Sequence, residues 1–163
     1  NVCTPTYLAG AARRLAAEHR RVRARVLDVR AIRRLKMGSF LSVTRGSDEP
    51  PRLIVLEYRG AGSREAPVAL VGKGIMYDSG GLALKPGDDV HAQMKNDMSG
   101  AAAILAAMAT LKALGCKSQV TGYLMCTDNM PSGTALAMGD ALAVALCCAQ
   151  RWRMDRIAQS TRS

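Results

Sequence analysis

The chain has 163 residues, 48% of them hydrophobic and 22% charged, with 23 Lys and Arg against 13 Asp and Glu. That length and balance fit one globular domain around one core and exclude a disordered or collagen-like polymer. No apolar run reaches the length of a bilayer span, and the amino end lacks the order of a secretory signal, so the expectation is a cytoplasmic protein without membrane contact.

Aromatic residues make up only 4%, so the interior must be filled by aliphatic side chains and adaptable methionines. Five cysteines, at 3, 116, 126, 147 and 148, form no CxxC pair, which fits reduced thiols better than a disulfide framework. With only His19 and His91 present, any bound metal must rest mainly on oxygen ligands. The basic excess belongs to the ends: residues 1–36 hold ten basic against two acidic side chains, and residues 141–163 hold four against one. A solvated arginine-rich face is the reading favoured over a nucleic-acid partner, because no aromatic residues interleave with the arginines.

In chain order, Thr4 and Pro5 start a helix over about residues 5–19, with Tyr7, Leu8, Ala11, Ala12 and Leu15 at helical spacing. Val22, Ala24, Val26 and Asp28 alternate with Arg21, Arg23, Arg25 and Leu27, a strand pattern. Ala31 to Met37 reads as one or two helical turns ended by Gly38, and residues 39–51 are mixed. Arg52–Tyr58 and Pro67–Gly72 read as strands, the second apolar at nearly every position, as in a sheet covered on both faces. A glycine-dense loop follows; Asp97 then opens an alanine-rich helix over about 98–114, closed by Gly115. Gln119–Cys126 is a further strand, followed by a polar loop over 127–140. Strand, loop, helix, strand predicts an α/β fold: a three-layer αβα arrangement with a largely parallel sheet. Ligands of such sheets bind beyond the carboxyl ends of the strands, so the loops 72–97 and 127–140 should be neighbours.

The stretch Val71–Gly100 concentrates the chemistry, with Lys73, Asp78, Lys85 and Asp97 among glycines. Taken singly, Asp97 suits a helix N-cap, Asp78 a turn, and the lysines a solvated surface. Together they are harder to assign to structure alone, since two carboxylates gathered at strand ends repel unless lysines or a metal ion neutralise them. Lys73, flanked by glycines at a buried strand end, sits where an ammonium loses solvent, and a neutral amine can bind a metal. A phosphate-binding loop is disfavoured, because the GKG string does not match the GxxxxGK[ST] spacing.

VGKGIMYDSGGLALKP, KNDMSGAAAILAAM and DNMPSGTALAMGD resemble successive signatures of the leucyl aminopeptidase family, and NVCTPTYLA with residues 37–58 is similar to the opening of its catalytic domain. The resemblance covers about residues 1–140. It implies a metal-dependent aminopeptidase that removes N-terminal residues from peptides with a two-metal activated water. Lys73, Asp78 and Asp97 match metal ligands, with Asp78 bridging, and Lys85 matches the lysine that polarises the scissile carbonyl. The implied cofactors are two divalent ions, zinc or manganese, and the implied assembly is a homo-hexamer.

The sequence also departs from that pattern. No counterpart of the family's NTDAEGR segment, which supplies further acidic ligands and an arginine, follows the PSG loop, and Ala137-Met138 replace an Arg-Pro pair. The expectation is a partial catalytic domain over 1–140 and a divergent basic tail over 141–163, as in a truncated or frame-altered product. Its metal site is then incomplete and its ions not fully held. The alternative is a catalytically inactive binding or assembly module with nucleic-acid affinity, since some family members bind DNA. Completion of the site by another chain is the least favoured option.

Overall fold

The computed structural model describes residues 2–61, 67–80 and 84–129. Of the loop expected over 127–140, residues 127–129 continue a strand instead, while residues 130–140 and the tail over 141–163 lie outside the described residues.

Helix α1 (Pro5–Glu18) starts where expected: Thr4 Oγ1 accepts a hydrogen bond from the Tyr7 amide at 3.1 Å, and Pro5 occupies the first turn, where a missing N–H costs nothing. Strand β1 (Val22–Leu27) follows. Asp28 then caps α2 (Val29–Arg34) through the Ala31 amide at 2.8 Å. This helix is ended by Lys36 in a left-handed conformation (φ 57°), whereas Gly38 begins a short helix, α3 (Gly38–Val43), inside the stretch expected to be mixed. Its formation follows from burial, since Phe40 and Val43 are both buried.

The remaining elements are β2 (Arg52–Tyr58), β3 (Val68–Asp78), α4 (Asp89–Gln93), a 3-10 turn over Met94–Asn96, α5 (Ser99–Thr110) and β4 (Val120–Asn129). The described strands form one sheet in the order β1-β2-β4-β3. The α/β class holds, and among the described strands the sheet is mixed: β1–β2 and β2–β4 are antiparallel and β3–β4 is parallel. The reason is connectivity. A parallel neighbour needs a crossover, and only α5 carries the chain from one strand to an adjacent parallel one. Apolar runs such as Leu53–Leu56 report burial on two faces, and strand direction is independent of that.

The two faces carry separate cores. Alternation sends Ile54, Leu56, Tyr58, Val120, Leu124 and Cys126 toward α1 and α5, and Leu53, Val55, Tyr123 and Met125 toward α2 and α3. Helices on both sides of the sheet give the three layers expected. Each fully buried Leu or Ile contributes roughly 1.5–3 kcal/mol by leaving water, and Ile32, Ile54, Leu56 and Leu124 are all at 0% exposure. Helix α5 lies close on β3 and β4 because of Gly72: a Cβ there would meet the Gly100 carbonyl oxygen and Ile104 Cδ1, each at 2.7 Å. No helix among the described residues is long and apolar enough to cross a membrane.

Candidate metal centre

Strand β3 runs six residues past the expected end at Gly72, so Lys73 lies within the strand and Asp78 at its carboxyl end. The extension is paired along β4, with Lys73 opposite Met125 and Asp78 opposite Asn129, and the pairing is irregular between Ile75 and Asp78. The chain then turns sharply. Asp78 Oδ1 accepts a hydrogen bond from the Gly80 amide at 3.0 Å, and Gly80 has φ 108°, which a side chain would resist. The loop folds back so that the Lys85 amide donates to the Ser79 carbonyl at 3.0 Å.

That return delivers the Lys85 ammonium to Asp78, 2.6 Å from Oδ2 and 3.2 Å from the backbone carbonyl oxygen. Asp78 is 3% exposed, so its charge needs stabilising partners, and the ammonium and the amide are two of them.

Asp97 sits after the 3-10 turn, its amide donating to the Met94 carbonyl at 3.2 Å. It does not open α5, as the sequence suggested. The helix begins at Ser99, with Met98 at the cap position and no side-chain cap bond. Asp97 Oδ1 instead lies 3.3 Å from Lys73 Nζ, while Oδ2 is buried with no hydrogen-bond partner among the described residues. Burial pushes the Asp97 carboxyl above its ordinary range; Lys73 opposes that rise, the charge of Asp78 adds to it, and Lys85 opposes it again. The four side chains singled out in the sequence therefore share one electrostatic environment, in which Lys73 pairs with Asp97, Lys85 pairs with Asp78, and the charges of Asp78 and Lys85 both act on Asp97.

A cavity of about 470 Å³ opens at the carboxyl ends of the strands, lined by Cys3, Glu49, Met76, Tyr77, Lys95 and Asp128. Two contacts beside it were not signalled by the sequence. Tyr77 Oη is 2.9 Å from His91 Nδ1, with the rings edge to face, tying β3 to α4. Ser47 Oγ donates to Asp128 Oδ2 at 2.9 Å, tying the segment before β2 to the end of β4. Both pairs are far apart in sequence and carry no local motif. Among the described residues no group of three or more His, Cys, Asp or Glu could hold a metal ion. The oxygen donors gathered here are thus the two carboxylates, with the Lys73 amine beside Asp97, and Asp97 Oδ2, which has no hydrogen-bond partner among the described residues, is the atom best suited to a cation.

A family model described as the cytosol aminopeptidase family, catalytic domain, matches residues 1–145. The chain belongs to the cytosol aminopeptidase family. A probable cytosol aminopeptidase of Cupriavidus necator is 49% identical over 142 residues, 87% of this chain and 27% of the relative. Another, of Burkholderia mallei, is 50% identical over 140 residues, 86% of this chain and 27% of the relative. Among solved structures, the bottromycin maturation enzyme BotP in complex with Mn matches with a TM-score of 0.71 and 42% identity, over 82% of this chain and 28% of that one. Apo leucyl aminopeptidase from Trypanosoma cruzi matches with a TM-score of 0.72 and 34% identity, over 82% of this chain and 26% of that one. The chain spans about a quarter of the length of these curated relatives. The α/β sheet with its helices is the architecture of these aminopeptidases, seen over part of their length.

Proposed function

We propose that Lys73, Asp78, Asp97 and Lys85 are part of the site of a metal-dependent aminopeptidase, which removes N-terminal residues from peptides, and that the chain as given supplies only part of the ligand set. The observation that carries this reading is the pairing of Lys73 with Asp97 and of Lys85 with Asp78, with the charges of Asp78 and Lys85 also acting on Asp97, in a chain of this family. Support for a cation comes from Asp97 Oδ2, a buried carboxylate oxygen with no hydrogen-bond partner among the described residues, and from the proximity of a second carboxylate. Mn in the similar BotP supports a divalent ion such as manganese, with zinc as the alternative.

Asp78 and Asp97 would hold such ions through their carboxylates and Lys73 through its amine. When bound, a pair of divalent ions supplies charge that acidifies water and polarises a carbonyl. The protein's own part is positional. Asp78 is fixed by the Gly80 amide, Asp97 by its burial and by Lys73, and both elements are locked together where α5 meets Gly72. The Lys85 ammonium stands beside Asp78, so it places a positive charge next to any carbonyl oxygen bound there and stabilises the negative charge that grows on it. Peptide substrates, a cytoplasmic setting, a homo-oligomer, and the division into a domain over 1–140 with a tail over 141–163 belong to the same proposal.

Isothermal titration with Mn²⁺ and hydrolysis of a leucyl chromogenic amide test it together. Metal binding by the chain that is lost in Asp78→Ala and weakened in Asp97→Asn is expected; with turnover this shows an active enzyme, and without turnover an inactive module that keeps the metal site. Equal Mn²⁺ affinity of the chain and Asp78→Ala would remove the assignment.

A further inference from the structure

We propose that the outer edge of β1 is a docking slot for an acidic, extended polypeptide segment, which adds beside it as a further strand. In the described sheet β1 is a terminal strand, paired only with β2. An open trough of about 1030 Å³ runs along it, and each residue from Arg23 to Leu27 lines that trough. The faces of a strand display alternate residues, so five consecutive ones meet the same hollow only along the strand's edge. Arg13 of α1 closes it from one helix layer, and Ala31 and Arg34 of α2 close it from the other. A groove bounded by a sheet edge and two flanking helices has the shape and the backbone groups that strand addition requires.

The charge of the slot selects its occupant. Arg13, Arg23, Arg25, Arg34, Arg52 and Arg59 line it, against Asp28 and Glu57. Both acids are already engaged: Asp28 accepts from the Ala31 amide, and Glu57 Oε1 lies 3.9 Å from Arg25 Nη1. The Asp28 carboxyl is held below its usual range, first by the Ala31 N–H and further by Arg34 and Arg30, which reports a positive local field. A second copy of this chain would bring its own Arg23 and Arg25 to the same edge and be repelled. A single-stranded nucleic acid would find no aromatic side chain among the described residues of the trough on which to stack. An extended peptide with carboxylates at alternate positions meets both demands, pairing its backbone with β1 and its side chains with the guanidinium groups.

The test uses the 163-residue chain with a fluorescein-labelled peptide of alternating Glu and Val, read by anisotropy. The parent peptide is expected to bind, and its Gln-for-Glu version and the Arg23→Glu/Arg34→Glu double variant are each expected to lose about tenfold or more in affinity. Of two peptides N-methylated at odd or at even positions, one should bind like the parent and the other about tenfold more weakly, because only alternate amides face the neighbouring strand. Circular dichroism checks that the variant is folded, and the peptide series decides independently of it. Failure of the parent to bind, equal binding of the Gln peptide, equal binding of both N-methylated peptides, or tighter binding of an oligothymidine of equal charge would each overturn the proposal.

Discussion

Lys85 holds Asp78 twice, its ammonium lying 2.6 Å from the carboxylate and 3.2 Å from the carbonyl of the same residue, across a glycine turn. The carboxylate is almost sealed from solvent while the lysine keeps a fifth of its side-chain surface exposed. Such a pair matters most when one half is removed.

Lys85→Met is therefore expected to destabilise the fold by about 3 kcal/mol, because it removes the ammonium lying against a buried carboxylate. Asp78→Asn/Lys85→Met should lose about 1–2 kcal/mol less than the sum of the single changes, since the amide needs no counter-charge. Urea unfolding of the four proteins at neutral pH measures the cycle; strictly additive losses would show that the pair is not coupled.

Two aspartates should tilt the stability profile in opposite directions with pH. The folded-state pKa of Asp97 is raised, chiefly by burial, so its contribution to stability is fully present below the ordinary carboxylate value and is lost as pH rises through the raised one. The pKa of Asp28 is lowered, chiefly by the Ala31 amide, so its contribution is present above the ordinary value and is lost as pH falls. Asp97→Asn should remove the first slope and Asp28→Asn the second. Unfolding free energies from pH 3 to pH 7 (a range of roughly ordinary carboxylate titration) would contradict this if both variants kept the parent profile.

Gly72→Ala is expected to cost about 2–3 kcal/mol, because its Cβ would meet backbone at Gly100 as well as Ile104, and backbone cannot rotate away. Gly122→Ala should cost somewhat less, since its close neighbour, at 2.6 Å, is the Ile104 Cγ2 methyl group and not backbone, though the β-branch holds that methyl near the helix and keeps the cost appreciable. Paired urea melts rank the two; the reverse order would mean that α5 is not held at Gly72.

Cys126 is buried, and burial pushes its thiol up to about 12. Iodoacetamide at pH 8 should thus leave it unmodified in the folded chain and label it in urea, while the partly exposed Cys116 reacts without unfolding. Peptide mass spectrometry reads both sites, and rapid native labelling of Cys126 would place it nearer the surface than the fold does.

The sequence by itself determined much of this protein. Thr4-Pro5 announces α1, the alternation around Val22 announces β1 despite its arginines, and Arg52–Tyr58 marks β2 residue for residue. These signals are local, resting on capping chemistry and periodicities of two or 3.6, so no distant residue was needed to read them. Lys73, Asp78, Lys85 and Asp97 were likewise legible as a group, through their spacing among glycines and their resemblance to family signatures. Only the tertiary structure decided how they pair, with Lys73 on Asp97 and Lys85 on Asp78, because those partners are chosen by the return of a loop and the seating of α5 against Gly72. Strand direction was also beyond local reading: an apolar run says that both faces are covered, and nothing in it says which way the neighbour runs. The arginine-lined edge of β1 became a slot only once α1 and α2 were placed on either side of it, since charge is written in the chain but concavity is made by packing.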